Sequence, residues 1–248
     1  MRDPGIEFME KTRYPDFSTV DMILRIPEPE KERPIPDGAT VIKLPNPHRI
    51  KITNVPVQEA IEQWEPEGFF SRSSITLKDL SFLLWCMQGY RKTSVGDMMI
   101  RNVPSSGCRY PVETYFVAGE VEGLETGLYR YLPHSHQVIA ERIDSDLPFA
   151  MGTASMNFKL ITRAAVTFLF VGIPYRSTWA LGNRGYRSVL IEVGHICQAL
   201  IMASACIGCR VHPIDLFHDQ MMIQLADLDP ETQWPLYVGA VGKREREL

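Results

Sequence analysis

The segment Arg101-Asn-Val-Pro-Ser-Ser-Gly-Cys-Arg-Tyr-Pro111 concentrates residue types suited to a ligand loop. Pro104, the hydroxyls of Ser105 and Ser106, and Gly107 let the backbone approach a planar or anionic ligand closely, and Arg109 adds a cation. A plain turn between a helix and a strand is the other reading of the same composition. Glu192, His195 and Gln198 recur every three residues along one apolar stretch. The stripe offers a proton donor, but the expectation is a buried, hydrogen-bonded polar patch at a helix or subunit contact. Cys206-x-x-Cys209, with His212 and His218 nearby, has zinc-ligand residue types but no second pair at suitable spacing, so buried thiols are expected. His134 and His136 fall in a turn and are expected to be exposed. Met98, Met99, Met221, Met222 and Trp85 read as core filler.

These groups need elements to hold them. Thr76 with Asp79 three residues on forms a capping-box start, and Leu77, Leu80, Leu83, Leu84 and Met87 follow at helical spacing to Gly89. Residues 112–117 read as a strand, and 128–132 with 137–140 as a hairpin about 133–136. Residues 164–172 form a continuous apolar run of strand length, the pattern of a central strand buried on both faces. Residues 188–208 read as a buried core or interface helix rather than a membrane span, because Glu192, His195 and Gln198 interrupt it. Residues 234–242 read as a last strand. Ten of the 18 prolines fall before Glu67, which excludes long helices and central strands there and predicts an extended arm wrapped over another surface.

The 248 residues carry 26 Lys+Arg against 30 Asp+Glu, a formal charge of -4, and no basic run. That balance offers little to a nucleic-acid backbone. The first residues lack a signal-peptide pattern and the five cysteines are an odd set, so a reduced, cytoplasmic setting is the expectation.

Seven pieces stand in a familiar order: Glu7-Phe-Met-Glu-Lys-Thr-Arg-Tyr14, Leu77-Lys-Asp-Leu-Ser-Phe-Leu-Leu-Trp-Cys-Met-Gln-Gly89, Val103-Pro-Ser-Ser-Gly-Cys-Arg-Tyr-Pro-Val-Glu-Thr-Tyr115, Val121-Glu-Gly-Leu-Glu-Thr-Gly-Leu-Tyr-Arg-Tyr131, Arg184-Gly-Tyr-Arg187, Gly194-His-Ile-Cys-Gln198 and Val241-Gly-Lys243. Together they resemble the nitroreductase superfamily, specifically the SagB-type dehydrogenases, over nearly the whole chain. The resemblance implies an α+β fold with a central, mostly antiparallel sheet flanked by helices, an intertwined homodimer, and FMN at the dimer interface. It also implies hydride transfer between flavin N5 and a small organic substrate, with NAD(P)H a candidate reductant. Residues 1–66 are then the proline-rich arm and 67–248 the FMN-binding domain.

Carried over residue by residue, Pro104, Ser105, Ser106 and Gly107 take the family's Pro-Ser-Ala/Gly-Gly loop, which packs on the isoalloxazine, with Arg109 following in it. Ile214, Asp215 and Leu216 take the segment whose backbone amides face the ring. The family's phosphate-binding Arg-Arg-Ser-x-Arg is replaced by Gln63-Trp64-Glu65-Pro66-Glu67, two carboxylates facing a dianion. Arg72, Lys243 and Arg244 are the bases left for the phosphate. Ala180-Leu181 stands where azoline-oxidising relatives carry Lys-Tyr, which removes a proton-transfer phenol and disfavours that reaction. Ala199 replaces a usual Asn, and Arg210 a common Gly. These departures motivate a competing reading, a flavin-free or non-catalytic dimer that binds a ligand or a protein partner.

Overall fold

A period of two, apolar on both faces, runs through the middle of this chain and gives it a sheet that must be covered on both sides. The computed structural model describes residues 2–14, 17–65, 68–93 and 99–244. In chain order, the first elements are α1 (Pro4–Lys11), β1 (Thr40–Lys43), α2 (Val57–Glu62), β2 (Ile75–Thr76), α3 (Leu77–Gln88), β3 (Tyr90–Lys92) and β4 (Met99–Arg101). Next are β5 (Val112–Ala118), β6 (Val121–Glu122), β7 (Gly127–Leu132), β8 (Gln137–Ile143), α4 (Leu147–Ala154), α5 (Phe158–Ile161) and β9 (Val166–Gly172). The chain closes with α6 (Tyr175–Leu181), α7 (Gly185–Cys206), β10 (Cys209–Ile214), α8 (Asp219–Ala226) and β11 (Trp234–Lys243).

Seven strands form one sheet in the order β1-β8-β7-β5-β9-β11-β10, with every neighbouring pair antiparallel. In β9, Val166, Phe168 and Phe170 join a core with α3 and α7, while Leu169 and Val171 join a second core with α4, α5 and α8. α3 starts where its capping box predicts: Asp79 N donates to Thr76 Oγ1 at 3.1 Å and Thr76 N to Asp79 Oδ2 at 3.0 Å. α7 begins three residues before the expected start, at Gly185. A Cβ there would lie 2.6 Å from Thr178 N, so only glycine lets α6 abut α7 this closely.

The first quarter holds only short helices and β1, an edge strand, as its prolines require. Between Ile26 and Pro36 the arm has no helix or strand, and proline removes main-chain donors from it, so its carbonyls must find donors elsewhere. A row of largely buried side chains supplies them. Trp179 Nε1 donates to Ile26 O at 3.0 Å, Arg176 Nε to Glu30 O at 2.7 Å, and Arg101 Nη2 to Lys31 O at 3.1 Å. Arg130 Nη1 and Nη2 donate to Arg33 O and Pro34 O at 3.1 and 3.0 Å. Glu113 is the counter-ion at the centre of this row. Its Oε1 accepts from Arg176 Nη2 at 2.5 Å and from Arg33 N at 2.8 Å, and its Oε2 lies 3.8 Å from Arg130 Nη1.

Two expectations are corrected. His136 is half-buried, with Nδ1 2.7 Å from Tyr131 Oη and Nε2 2.8 Å from Ser81 Oγ, because the hairpin turn folds back on α3. Met222 is core, but Met99 and Met221 are exposed at 41% and 37% and Trp85 is only partly buried. Met98 lies outside the described residues.

Glu113→Gln leaves two buried arginines without their shared counter-charge and is expected to cost about 3 kcal/mol. Urea unfolding measures the loss, and tryptic cleavage at Arg25 and Lys31 is expected to accelerate as the arm lifts. Unchanged cleavage would show that the arm is held by other contacts.

Candidate functional site

The loop predicted to meet a ligand is strongly curved. Ser106–Cys108 form a 3-10 turn, with Gly107 at φ 63°, Cys108 at 52° and Tyr110 at 50°. Left-handed backbone at two non-glycine residues costs energy and persists only where surrounding contacts impose it. Here Cys108 N donates to Ser105 O at 3.1 Å and Tyr110 N to Ser105 Oγ at 2.9 Å. His195 Nδ1 lies 3.3 Å from Pro104 O, to which it donates. The outcome is a loop whose outer face, Pro104, Ser106 and Gly107, is exposed.

Arg109 does not share that face. It is buried, its Nε donates to Arg176 O at 3.0 Å, its Nη1 pairs with Glu28 Oε1 at 2.9 Å, and its guanidinium lies 4.7 Å from the Trp179 ring centroid. Burial works to raise the Glu28 carboxyl, but the neighbouring Arg109 and Lys31 cations bring it below its ordinary value. Arg109 thus ties the arm to the loop.

Behind the loop runs α7. Glu192 is buried at 2% exposure, and neither carboxylate oxygen has a hydrogen-bond partner among the described residues. Burial pushes its carboxyl up to about 7, against the opposing pull of Ser105, Arg101 and Arg176. His195 and Gln198 are exposed, so the expected buried patch is corrected to a single buried acid. Each three-residue step falls about 60° short of a full turn, and the stripe rotates off the buried face.

The remaining expected residues stand elsewhere. Ile214 is buried, and Asp215 and Leu216 are exposed, Leu216 at 70%. Lys243 Nζ donates to Ile207 O at 2.8 Å and Arg244 Nη2 to Gln63 O at 2.9 Å. Phe70 bridges to Arg244, and Ser71 N donates to Lys243 O at 3.0 Å, which brings the neighbouring Arg72 to the same edge. Glu65, the carboxylate expected to repel a phosphate, is ion-paired with Arg210. Two departures from the family pattern therefore neutralise each other. Opposite charges at two departing positions were the available signal, unreadable without the pairing of distant segments. Pro66 and Glu67 lie outside the described residues.

The sheet separates these groups. Val112, which follows the loop, pairs with Gly172 at the far end of β9, whereas Val241, beside Lys243, pairs with Val166 at the near end. Seven residues of β9 span roughly 23 Å. One chain does not bring the loop and the basic residues into one cleft. Beside Arg72 lies a cavity of about 570 Å³ lined by Phe69, Arg72, Phe158, Lys159, Thr162 and Arg163. Lys159 and Arg163 escaped the sequence reading, because isolated bases within and just after a four-residue helix carry no pattern.

The family model for nitroreductases matches residues 69–243, from the strand-like entry beside Arg72 to the end of β11. The chain belongs to the nitroreductase family. Its seven-stranded antiparallel sheet and flanking helices are the nitroreductase fold, the fold of a family of oxidoreductases. Among nitroreductase-like relatives, the candidate nitroreductase MJ1384 of Methanocaldococcus jannaschii is 26% identical over 82% of this chain and 96% of its own. The trifolitoxin-processing protein TfxB of Rhizobium leguminosarum bv. trifolii is 27% identical over 61% of this chain and 42% of its own. A candidate nitroreductase from Anabaena variabilis superposes with a TM-score of 0.75 at 20% identity, covering 97% of this chain and 46% of that one. A candidate nitroreductase from Desulfovibrio desulfuricans, solved in complex with FMN, superposes with a TM-score of 0.55 at 12% identity over 78% of this chain and 89% of that one.

Glu192 generates a pH prediction for this nitroreductase-family chain. Its folded pKa, about 7, lies above the ordinary 4.5, so its contribution to stability is fully present below 4.5 and is lost as pH rises to about 7. Between about pH 4 and pH 8 the stability of the wild type should fall relative to Glu192→Gln by about 3 kcal/mol. A difference in urea midpoints that ignores pH would show that the carboxyl is solvated.

Proposed function

We propose that this chain is an FMN-dependent oxidoreductase of the SagB-type branch, working as a homodimer that moves hydride between the flavin and a small organic substrate. The observation that carries this reading is the split site: an exposed, curved Pro104–Ser105–Ser106–Gly107 loop at one end of the sheet and the bases Arg72, Lys243 and Arg244 at the other. A ligand that needs both must take them from two copies of the chain. Exposed apolar residues support such an assembly, with Leu190 and Ile191 on α7 and Ile6, Met9, Ile23 and Leu24 along the arm.

The residues fit FMN on two observations. Glu65, one of the two acids that would repel a phosphate, is held by Arg210, and a Cβ on Gly107 would touch only the Arg109 side chain, at 3.6 Å, so the loop face is open to a flat ring. Bound FMN would supply the two-electron redox chemistry that side chains lack. Pro104, Ser106 and Gly107 would pack on the ring from one subunit, and the backbone at Ile214, Asp215 and Leu216 would face it from the other. Glu192, behind Ser105, holds a proton near neutral pH where the loop needs an uncharged support. The Arg109–Glu28 contact anchors the loop to the arm. FMN bound in the Desulfovibrio fold neighbour and the trifolitoxin-processing role in the name of TfxB are in keeping with this reading.

The test is direct. The protein purified without added cofactor is expected to show a visible flavin spectrum or to bind FMN in titration, and to sediment at about twice 28.2 kDa. Colourless protein that fails to bind micromolar FMN would overturn the assignment in favour of a flavin-free dimer that binds another ligand or a protein.

A further inference from the structure

The loop rests on α7, and the helix places a buried acid behind it. His195 Nδ1 lies 3.3 Å from Pro104 O, and Glu192 stands three residues before His195. Glu192 is 2% exposed, and neither carboxylate oxygen has a hydrogen-bond partner among the described residues. Its neighbour in the loop is Ser105, whose Oγ accepts from Tyr110 N and whose carbonyl accepts from Cys108 N. Two cations act on the acid, Arg101 at the end of β4 and Arg176 on α6, and neither forms an ion pair with it. Arg101 donates to Gln88 Oε1, Val112 O and Lys31 O, while Arg176 donates to Glu30 O and to Glu113, its counter-ion from β5. Tyr110 Oη accepts from Arg101 N at 3.1 Å, and His195 is the titratable neighbour on α7 itself. Val189, Val193 and Ile196 are buried along the same stretch of α7.

We propose that Glu192 is a positioning residue that balances charge at the loop, taking up one proton when a ligand on the Pro104–Gly107 face gains negative charge and releasing it when that charge leaves. The proposal rests on the flavin reading above. An acid bonded to a guanidinium stays ionised, and an acid in a purely apolar pocket stays neutral. Glu192 feels two cations and bonds neither, so no ion pair has to break when its proton comes or goes. Burial pushes its carboxyl up to about 7, within reach of a modest change in the local field. A hydride from a donor of the reduced-nicotinamide class carries two electrons and one proton, and leaves bound FMN one charge more negative. Above about pH 7 the Glu192 carboxylate then takes one proton from solvent, and the site keeps its net charge. When the hydride passes on to the substrate, that proton returns to solvent. The coupling is effective because a like charge across one buried layer is poorly screened.

Spectroelectrochemical titration of the FMN-loaded, full-length protein over a range of pH counts the protons that accompany each electron pair. Above about pH 7 the wild-type midpoint potential is expected to fall more steeply with pH than that of Glu192→Gln. The difference approaches one proton per electron pair, about 30 mV for each tenfold change in proton concentration. In acid, where the carboxyl is neutral in both redox states, the two slopes should coincide. Glu192→Asp, which keeps a carboxyl, should restore the steeper slope. A second measurement needs only the wild type: its reduced-minus-oxidised infrared spectrum at pH 8 should gain a carboxylic-acid C=O band, which Glu192→Gln lacks. Parallel slopes for the wild type and Glu192→Gln, or no such band in the wild type, would overturn the proton role while leaving the flavin reading in place. A wild type that binds no FMN would overturn both.

Discussion

Glu113 is the charge on which the rest of this structure leans. It sits buried between Arg130 and Arg176, and its carboxylate also receives the Arg33 main-chain N–H. Removing it strips Arg176 of its carboxylate and leaves Arg130 with Glu141 alone, whereas in place it lets both arginines reach across to the arm. The arm in turn has few donors of its own, because Pro27, Pro29, Pro34 and Pro36 interrupt it, and its carbonyls are answered by guanidinium groups and an indole. A proline-rich segment and a row of buried arginines are therefore two halves of one solution.

That solution reaches the candidate site through Arg109. Its guanidinium joins Glu28 of the arm, the carbonyl of Arg176 and the face of Trp179, all within the contact region the arm creates. The exposed loop of Pro104, Ser106 and Gly107 is thus supported from the inner side by Arg109 and from α7 by Glu192 and His195. Left-handed backbone at Cys108 and Tyr110 needs such support. The sheet then acts as a spacer, holding the loop about one strand length from the basic edge.

Much of the fold was legible because the signals were local. Thr76 and Asp79 mark the start of α3, an unbroken apolar run marks β9, and the turn residues 133–136 mark the β7–β8 hairpin. Motif order along the chain pointed to the family that residues 69–243 match. The misreadings share a cause. His136 looked exposed because a turn is usually solvated, and the Glu192–His195–Gln198 stripe looked uniformly buried because spacing was read without its angular drift.

By itself, then, the sequence determined α3, α7, β5, the β7–β8 hairpin, β9 and β11, the proline-bound arm, the loop at Pro104–Gly107 and membership of the nitroreductase family. Period, capping and turn chemistry act over a few residues and can be read in order. Only the tertiary structure decided that Glu65 meets Arg210 across 145 positions, that Arg109 turns inward, and that Arg72 shares a cavity with Lys159 and Arg163. Strand order brings these residues together, and charges placed by strand order leave no periodic trace in the chain.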